Sequence, residues 1–506
     1  MTGDSPVEGA DLTGTDVTIV GAGIGGLAGA AYLADAGAAV TVFERHDVLG
    51  GVARTIEVEG FRFDAGPSWY LMPEVFERFF GHFDRAPDDF YDLEELDPQY
   101  RVFWTDGDRV TIPPDRDAVR EIFESYETGG GAAFDRYIER AGEAYHLGMD
   151  RFVYTDRSRL RDFLDLDVLR SVRALPLVRS MDGHVARYFE EPKLRQLLQY
   201  TLVFLGGAPH NTPALYSMLA YADFEGHVHY PDGGMGSLVD AMATLARDRG
   251  ATIETGREVT AIEPRGDGLA VEVGTDRHWT DRIVANAPRP HVERELLDPA
   301  HRDRSPDDWA DQTYGPSAYM LYLGVEGPVD PLAHHTLVLP TDWDPHFEAI
   351  FDDPHWPDDP AFYLSVPSRT DASVAPDGHH AVVALVPIAP DLDDGRAARD
   401  RMRETVLDRI ETHAGVDLHD RIVVEREACV SEFADRYSLP EGTALGLAHT
   451  LSQSGPLRPG HRASNSPGLY YTGSFVRPGI GVPMCVISGE HAARAVVADV
   501  ADRPSR

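Results

Sequence analysis

Lysine is almost absent from this chain. Lys193 is the only one in 506 residues, and arginine supplies the rest of 46 basic side chains against 84 acidic ones. A formal net charge of −38 excludes nucleic acid as a partner, because phosphates are bound by clustered cations. Cysteine is nearly as scarce. Cys429 and Cys485 make neither a disulfide framework nor a metal-binding spacing, so a reducing, cytoplasmic setting is expected. A membrane-spanning run is also missing: Val17 to Leu33 comes nearest, but its glycines mark a strand, a turn and a helix. Residues 1–14 lack the positive region of a signal peptide and read as an acidic, flexible tail.

Hydrophobic side chains still make up 42% of the chain, enough to bury a sizeable interior. Its length exceeds one ordinary core, so two domains are expected, built from non-adjacent stretches. Acidic residues occupy nearly every loop, as at Asp353, Asp358 and Asp359. Such a surface suits concentrated salt, where the Debye length shrinks to roughly 3 Å at about 1 M and self-repulsion is screened.

The first ordered segment carries a specific pattern. Val17-Thr18-Ile19-Val20 is a β-branched strand leading into Gly21, Gly23, Gly25 and Gly26, after which small residues continue as a helix. Gly21 allows the tight turn, Gly23 lets backbone approach a pyrophosphate, and Gly26 lets helix and strand pack; the helix N-terminus then faces the phosphate charge. A second strand from Ala39 ends at Glu44, whose carboxylate is placed for a ribose diol. Shortly after it come Gly50, Gly51 and Arg54, an extension similar to that of two-dinucleotide-binding flavoproteins, where backbone amides and a basic residue serve the phosphates. That resemblance favours FAD over NAD.

From Phe61 the chain alternates into Asp64-Ala65-Gly66-Pro67, similar to the flavin-side loop of the same superfamily. Residues 76–229 read as a helical region facing substrate or membrane, with helices over Gly131 to Val153, Val168 to Phe189 and Lys193 to Phe204. Strand and turn signals return at Tyr230. Ala251 to Ile262 reads as a strand pair in which Val259 offers its backbone to an adenine, and Arg282 to Pro288 as a strand rejoining the cofactor sheet. Residues 296–439 alternate strands with acidic loops, as expected of a mixed substrate-covering sheet. The expected fold class is therefore α/β. A discontinuous Rossmann-like FAD domain (15–75, 230–295 and 440–506) accompanies the mixed-sheet and helical substrate region.

The chain's last motif is a strand into Gly473, then Gly479, Gly481 and Val482 opening a final helix, whose positive end suits the charge gained by a reduced flavin. Here the sequence resembles the bacterial and archaeal phytoene-desaturase type of carotenoid desaturase. The matching pieces are GAGIGGL from Gly21, FRFDAGPSW from Phe61, YPDGGMGSLVDAM from Tyr230, LAHHTLVLP from Leu332, the stretch from Phe362 to Gly378, and LYYTGSFVRPGIGVP from Leu469. Two departures are Val52, where the family has arginine after the second glycine pair, and Phe475 after the closing turn.

The resemblance implies FAD-dependent introduction of conjugated C=C bonds into a C40 or C50 carotenoid precursor, by phytoene-type desaturation or, alternatively, 3,4-desaturation for C50 pigments. A carotene isomerase or a non-enzymatic prenyl-binding escort protein shares the fold, whereas an amine oxidase would want a lysine near the flavin. Hydride passes to the flavin while a proton leaves the neighbouring carbon, and oxygen or a quinone takes the electrons. Asp64 and Arg477 are the proton-route candidates, each with the holding of its loop as the other reading. The pairs His334-His335 and His379-His380 should point to opposite faces of extended strands, so no metal is expected. Cys485 reads as helix-start packing. A hydrocarbon substrate implies peripheral contact with membrane lipid, for which Leu197 to Tyr221 is the candidate surface, a stretch that reads equally as a core helix pair.

The acidic surface makes a prediction of its own. The thermal unfolding midpoint should rise from dilute buffer to molar KCl, followed by circular dichroism; full stability in dilute buffer would remove the argument for a high-salt protein.

Overall fold

The computed structural model describes residues 7, 9–155, 179–266 and 268–501. Its organising element is a five-stranded parallel sheet in the order Leu469–Tyr471, Arg282–Ala285, Asp16–Val20, Ala39–Phe43, Thr252–Glu254. Its strands come from three separated parts of the sequence. Apart from the edge strand Thr252–Glu254, the strands are short, largely apolar and mostly buried, as parallel strands between helices are.

Asp16–Val20 passes directly into the first helix, Ile24–Asp35, a run of glycine, alanine and leucine that is almost wholly buried. Against it lie the closing helix, Val482–Ala501, and the helix Met235–Asp248. The contact with the closing helix is close enough to require glycine. A Cβ on Gly489 would stand 2.6 Å from both the Ala28 Cβ and the Gly25 carbonyl oxygen. The helix Pro73–Gly81 also packs on the closing helix, where Arg78 and Arg494 both pair with the buried Glu490.

A second, seven-stranded sheet runs Ile422–Ala428, Ser317–Glu326, His379–Ile388, Phe362–Ser365, His335–Leu339, Tyr100–Trp104, Arg109–Ile112. It is antiparallel except where His335–Leu339 runs parallel to Tyr100–Trp104. A three-stranded antiparallel sheet, Val259–Arg265, Gly268–Val273 and Asp276–Thr280, stands beside the cofactor sheet.

Several expectations are corrected. The stretch 76–229 is not purely helical: Tyr100–Trp104 and Arg109–Ile112 extend the seven-stranded sheet, and Leu93–Glu95 pairs with His229–Pro231. Its helix Gly130–Gly148 is present, and Pro192–Gln199 continues as a tighter turn to Leu205. The first half of the expected helix Val168 to Phe189 falls outside the described residues, and its described half holds Met181–Val185. The two strands read between Ala251 and Ile262 are both present but belong to different sheets. The tail is not wholly free: Val7 and Leu12 are buried, and the Leu12 N–H donates to Ala36 O at 2.7 Å. The stretch proposed to face lipid lies largely inside the molecule, with Leu197, Leu198, Leu202, Ala214 and Ala220 at 2% exposure or less. Its apolar pattern is that of a core.

Packing at Gly489 supplies the test of this arrangement. Gly489→Ala should lower unfolding stability by about 1–3 kcal/mol through overpacking, although alanine alone is roughly 1 kcal/mol better than glycine in a helix. Denaturant titration checks the sign.

Candidate functional site

A cavity of about 760 Å³ opens at the C-terminal ends of the parallel strands, with Val20, Phe43, Asn286 and Thr472 in its wall. This is where open parallel sheets bind ligands. Gly21, Gly23 and Gly25 form the wall where strand gives way to helix. Gly26 lies behind them, and its Cβ would stand 2.2 Å from the Gly21 carbonyl oxygen, so its role is close packing. The first helix begins with no side-chain cap and no acidic residue in its first turn. Its N-terminal amides and positive dipole end are thus left for an anion.

Glu44 is buried at the end of the second strand and lines the same cavity. Its carboxylate is held rigidly, Oε2 accepting the Ala22 N–H at 2.8 Å and Oε1 the His46 N–H at 2.9 Å. Gly50, Gly51, Gly66 and Val259 also line the wall. Arg54 does not: its Nε donates to the Tyr437 hydroxyl at 2.9 Å. Basic residues in the wall include Arg45 and Arg436, which motif reading passed over because neither belongs to a glycine pattern.

The closing motif completes the enclosure. Gly473, Arg477, Gly481 and Val482 line the cavity, whereas Gly479 sits against the His449 ring. The Gly473 N–H donates to Ser488 Oγ at 3.0 Å, tying the turn to the closing helix. Asn286 joins the two glycine turns. A Cβ on Gly23 would stand 2.7 Å from its Oδ1, and one on Gly473 2.9 Å from its Nδ2. Its place at a strand end before Ala287-Pro288 was visible in the sequence; its bridging role needs the fold.

Beyond the turns the wall becomes apolar, with Trp69, Leu71, Phe152, Val153, Leu215 and Leu219. The polar groups here bond to one another. Tyr363 meets Ser68 Oγ at 2.8 Å and His335 Nδ1 at 2.6 Å, and His335 stacks on Trp69 with centroids 4.3 Å apart. Burial holds the His335 pKa far below its usual value, so the ring is neutral. His334 and His335 do not diverge as expected: the strand begins only at His335, and the rings lie 4.5 Å apart. Lys193 is remote from the cavity wall and pairs with Asp106 and Asp108 at 2.7 and 2.8 Å. Cys485 lines the cavity in the first turns of the closing helix.

Asp64 does not line the cavity. Its Oδ1 accepts the Met235 N–H at 2.9 Å, capping the helix Met235–Asp248. The structure places Asp64 and Arg477 apart in role, one holding a helix and the other facing the void.

The family model of the flavin containing amine oxidoreductases matches residues 24–497. A carotenoid 3,4-desaturase of Haloarcula japonica is 56% identical over 97% of this chain and 100% of that relative. A zeta-carotene-forming phytoene desaturase of Myxococcus xanthus is 33% identical over 95% of this chain and 93% of that one. Among solved structures, a putrescine oxidase with a redesigned cofactor site is similar with a TM-score of 0.63 at 17% identity, covering 97% of this chain and 99% of that one. An oxidoreductase of Methanosarcina mazei scores 0.61 at 17% identity, covering 96% and 100%. These two share the fold.

Burial raises the Asp64 pKa from 3.8 to about 7 against the backbone bonds from Met235 and Gly236 and the charge of Arg62. Between those values the unfolded chain releases a proton that the folded chain keeps, so this group's contribution falls as pH rises, by about 1.4 kcal/mol per unit. Asp64→Asn keeps the helix cap and removes the titration. Its stability relative to the parent should therefore climb from about pH 4 to about pH 7 and level off above. Denaturation midpoints across pH measure that difference curve, and a flat one would place the carboxyl in a solvated setting.

Proposed function

The chain belongs to the flavin containing amine oxidoreductases and, within them, to the carotenoid desaturases, and on that footing we propose that it is a carotenoid 3,4-desaturase. The observation that carries the proposal is 56% identity along the full length of the Haloarcula relative, against 33% to the phytoene desaturase. The cavity supports it by joining a dinucleotide cradle to an apolar chamber.

The donor set fits FAD: an uncapped helix start, a rigid buried carboxylate and a second helix start meet on one void. Gly21, Gly23 and Gly25 would hold the pyrophosphate, Glu44 a ribose, Val259 the adenine side, and Gly473 to Val482 the ring. Bound FAD supplies an acceptor for two electrons and a proton taken together as hydride. The chain's own share is to orient the polyene and exclude water, through Trp69, Leu71, Leu215 and Leu219. Neutral, mutually bonded Tyr363 and His335 keep that chamber free of charge. Arg477, in the wall, is the residue proposed for the proton route.

A hydrocarbon substrate dissolved in lipid brings the protein to a membrane surface. No helix among the described residues is long and apolar enough to cross a bilayer, so the contact proposed is peripheral. Oxygen or a quinone is the proposed final acceptor.

The test is incubation of FAD-loaded protein in molar KCl with a hydroxylated lycopene derivative or with phytoene, followed by product spectra. A red-shifted product from the first alone is expected. Conversion of phytoene would redirect the assignment to an earlier desaturation, and rearrangement without a longer chromophore would indicate an isomerase. Flotation with liposomes in the same buffer checks the lipid contact.

A further inference from the structure

The closing loop rests on a buried charge that has no counter-ion among the described residues. Arg458 is 2% exposed. Its guanidinium donates to five backbone carbonyls: Nε to Val476 at 3.2 Å, Nη1 to Gln453 at 3.2 Å and Ala448 at 3.5 Å, and Nη2 to Leu447 at 2.8 Å and Ser474 at 2.5 Å. Among the described residues no carboxylate lies within 4.0 Å of it. Desolvation lowers its pKa only to about 10, so it remains a cation at neutral pH.

Of the other buried arginines, Arg289 and Arg399 are compensated, whereas Arg282, at 2% exposure, has no carboxylate within 4.0 Å among the described residues and donates to the Asp281 carbonyl. Arg289 pairs with Glu293 and Asp303, each at 2.7 Å, and Arg399 with Asp394 at 2.6 Å and Glu432 at 2.9 Å. An unpaired buried charge is costly, and neutral donors satisfy carbonyls without that cost. The position of Arg458 supplies a reason for the charge. Ser474 and Val476 belong to the closing loop, and a Cβ on Gly479 would come 3.4 Å from the Arg458 Cζ. His449 shares this support: its Nε2 accepts the Ile480 N–H at 3.1 Å and its Nδ1 bonds to Tyr216 at 2.7 Å. Burial, then Arg458 itself, holds this imidazole neutral. The loop thus has the cavity on one side and a cation on the other. The closing helix adds its positive end at the same place.

We propose that Arg458 is a positioning residue that tunes the redox potential of the cofactor, its missing counter-ion being the negative charge that bound FAD acquires on reduction. Hydride addition delivers two electrons and one proton, so the neutral ring becomes singly negative and the charges then balance. The inference rests on FAD binding and not on the identity of the carotenoid.

The experiment is a spectroelectrochemical titration of FAD bound to the full-length protein, without carotenoid, in molar KCl, which leaves a buried charge unscreened. Arg458→Lys keeps the charge, Arg458→Gln keeps donors without it, and Arg458→Met keeps neither. The neutral variants should bind reduced relative to oxidised FAD about tenfold more weakly, lowering the two-electron potential by about 30 mV. The lysine variant should stay close to the parent. Equal potentials in all variants, or one shift common to lysine and glutamine, would overturn the proposal. Failure of both neutral variants to fold or to retain FAD would assign Arg458 to loop packing and overturn it as well. A carotenoid assay that fails while these potentials behave as expected would count against the substrate reading alone.

Discussion

Everything at the site depends on one helix crossing. The first helix and the closing helix come from opposite ends of the described chain, and they approach until Gly489 meets Ala28 and the Gly25 carbonyl. Only small residues permit that distance, so the small-residue face of Ile24–Asp35 serves this contact as well as the turn before it. The crossing brings two helix starts to one edge of one sheet. Each is a weak anion site alone; together they form a cradle for a ligand with charge along its length. Asn286 completes it by filling the gap between the two turns with one amide.

Placing both halves of a cofactor site on distant segments ties folding of the frame to formation of the site. Every other element can then be read as support for the cavity wall. Asp64 fixes the helix Met235–Asp248, which packs on the first helix, and Glu490 pins Arg78 and Arg494 to the closing helix. The wall of the apolar chamber carries Tyr363, which bonds to Ser68 and to His335. A chemistry needing dryness on one side and a charge-bearing cofactor on the other is served by a cradle joined to such a chamber.

What the sequence made legible follows from range. The glycine turns, Glu44 and the closing motif are local patterns with a local cause, and each was readable because a tight turn or helix start constrains a few consecutive residues. The strands Tyr100–Trp104 and Arg109–Ile112 were hidden inside a helical stretch because the strand that ties them into the sheet, His335–Leu339, lies more than two hundred residues away. Asp64 stood beside a flavin-like loop and read as chemistry, while its carboxyl turned instead to a distant helix start. Arg54 likewise followed the second glycine pair yet reaches Tyr437. A motif fixes where backbone goes; which way a long side chain turns is settled by contacts it cannot encode.

Charge divides the molecule in the same way. Outside, 84 acidic against 46 basic residues leave a surface whose self-repulsion is a matter of ionic strength. Inside, the buried arginines Arg289 and Arg399 are matched by carboxylates, whereas Arg282 and the arginine behind the closing loop donate to backbone carbonyls instead. Salt screens the first set and leaves the second untouched. The protein can thus carry an extreme surface for solubility while its buried charges act out of reach of salt. That separation explains how an acidic shell and a cation-backed site coexist without one neutralising the other.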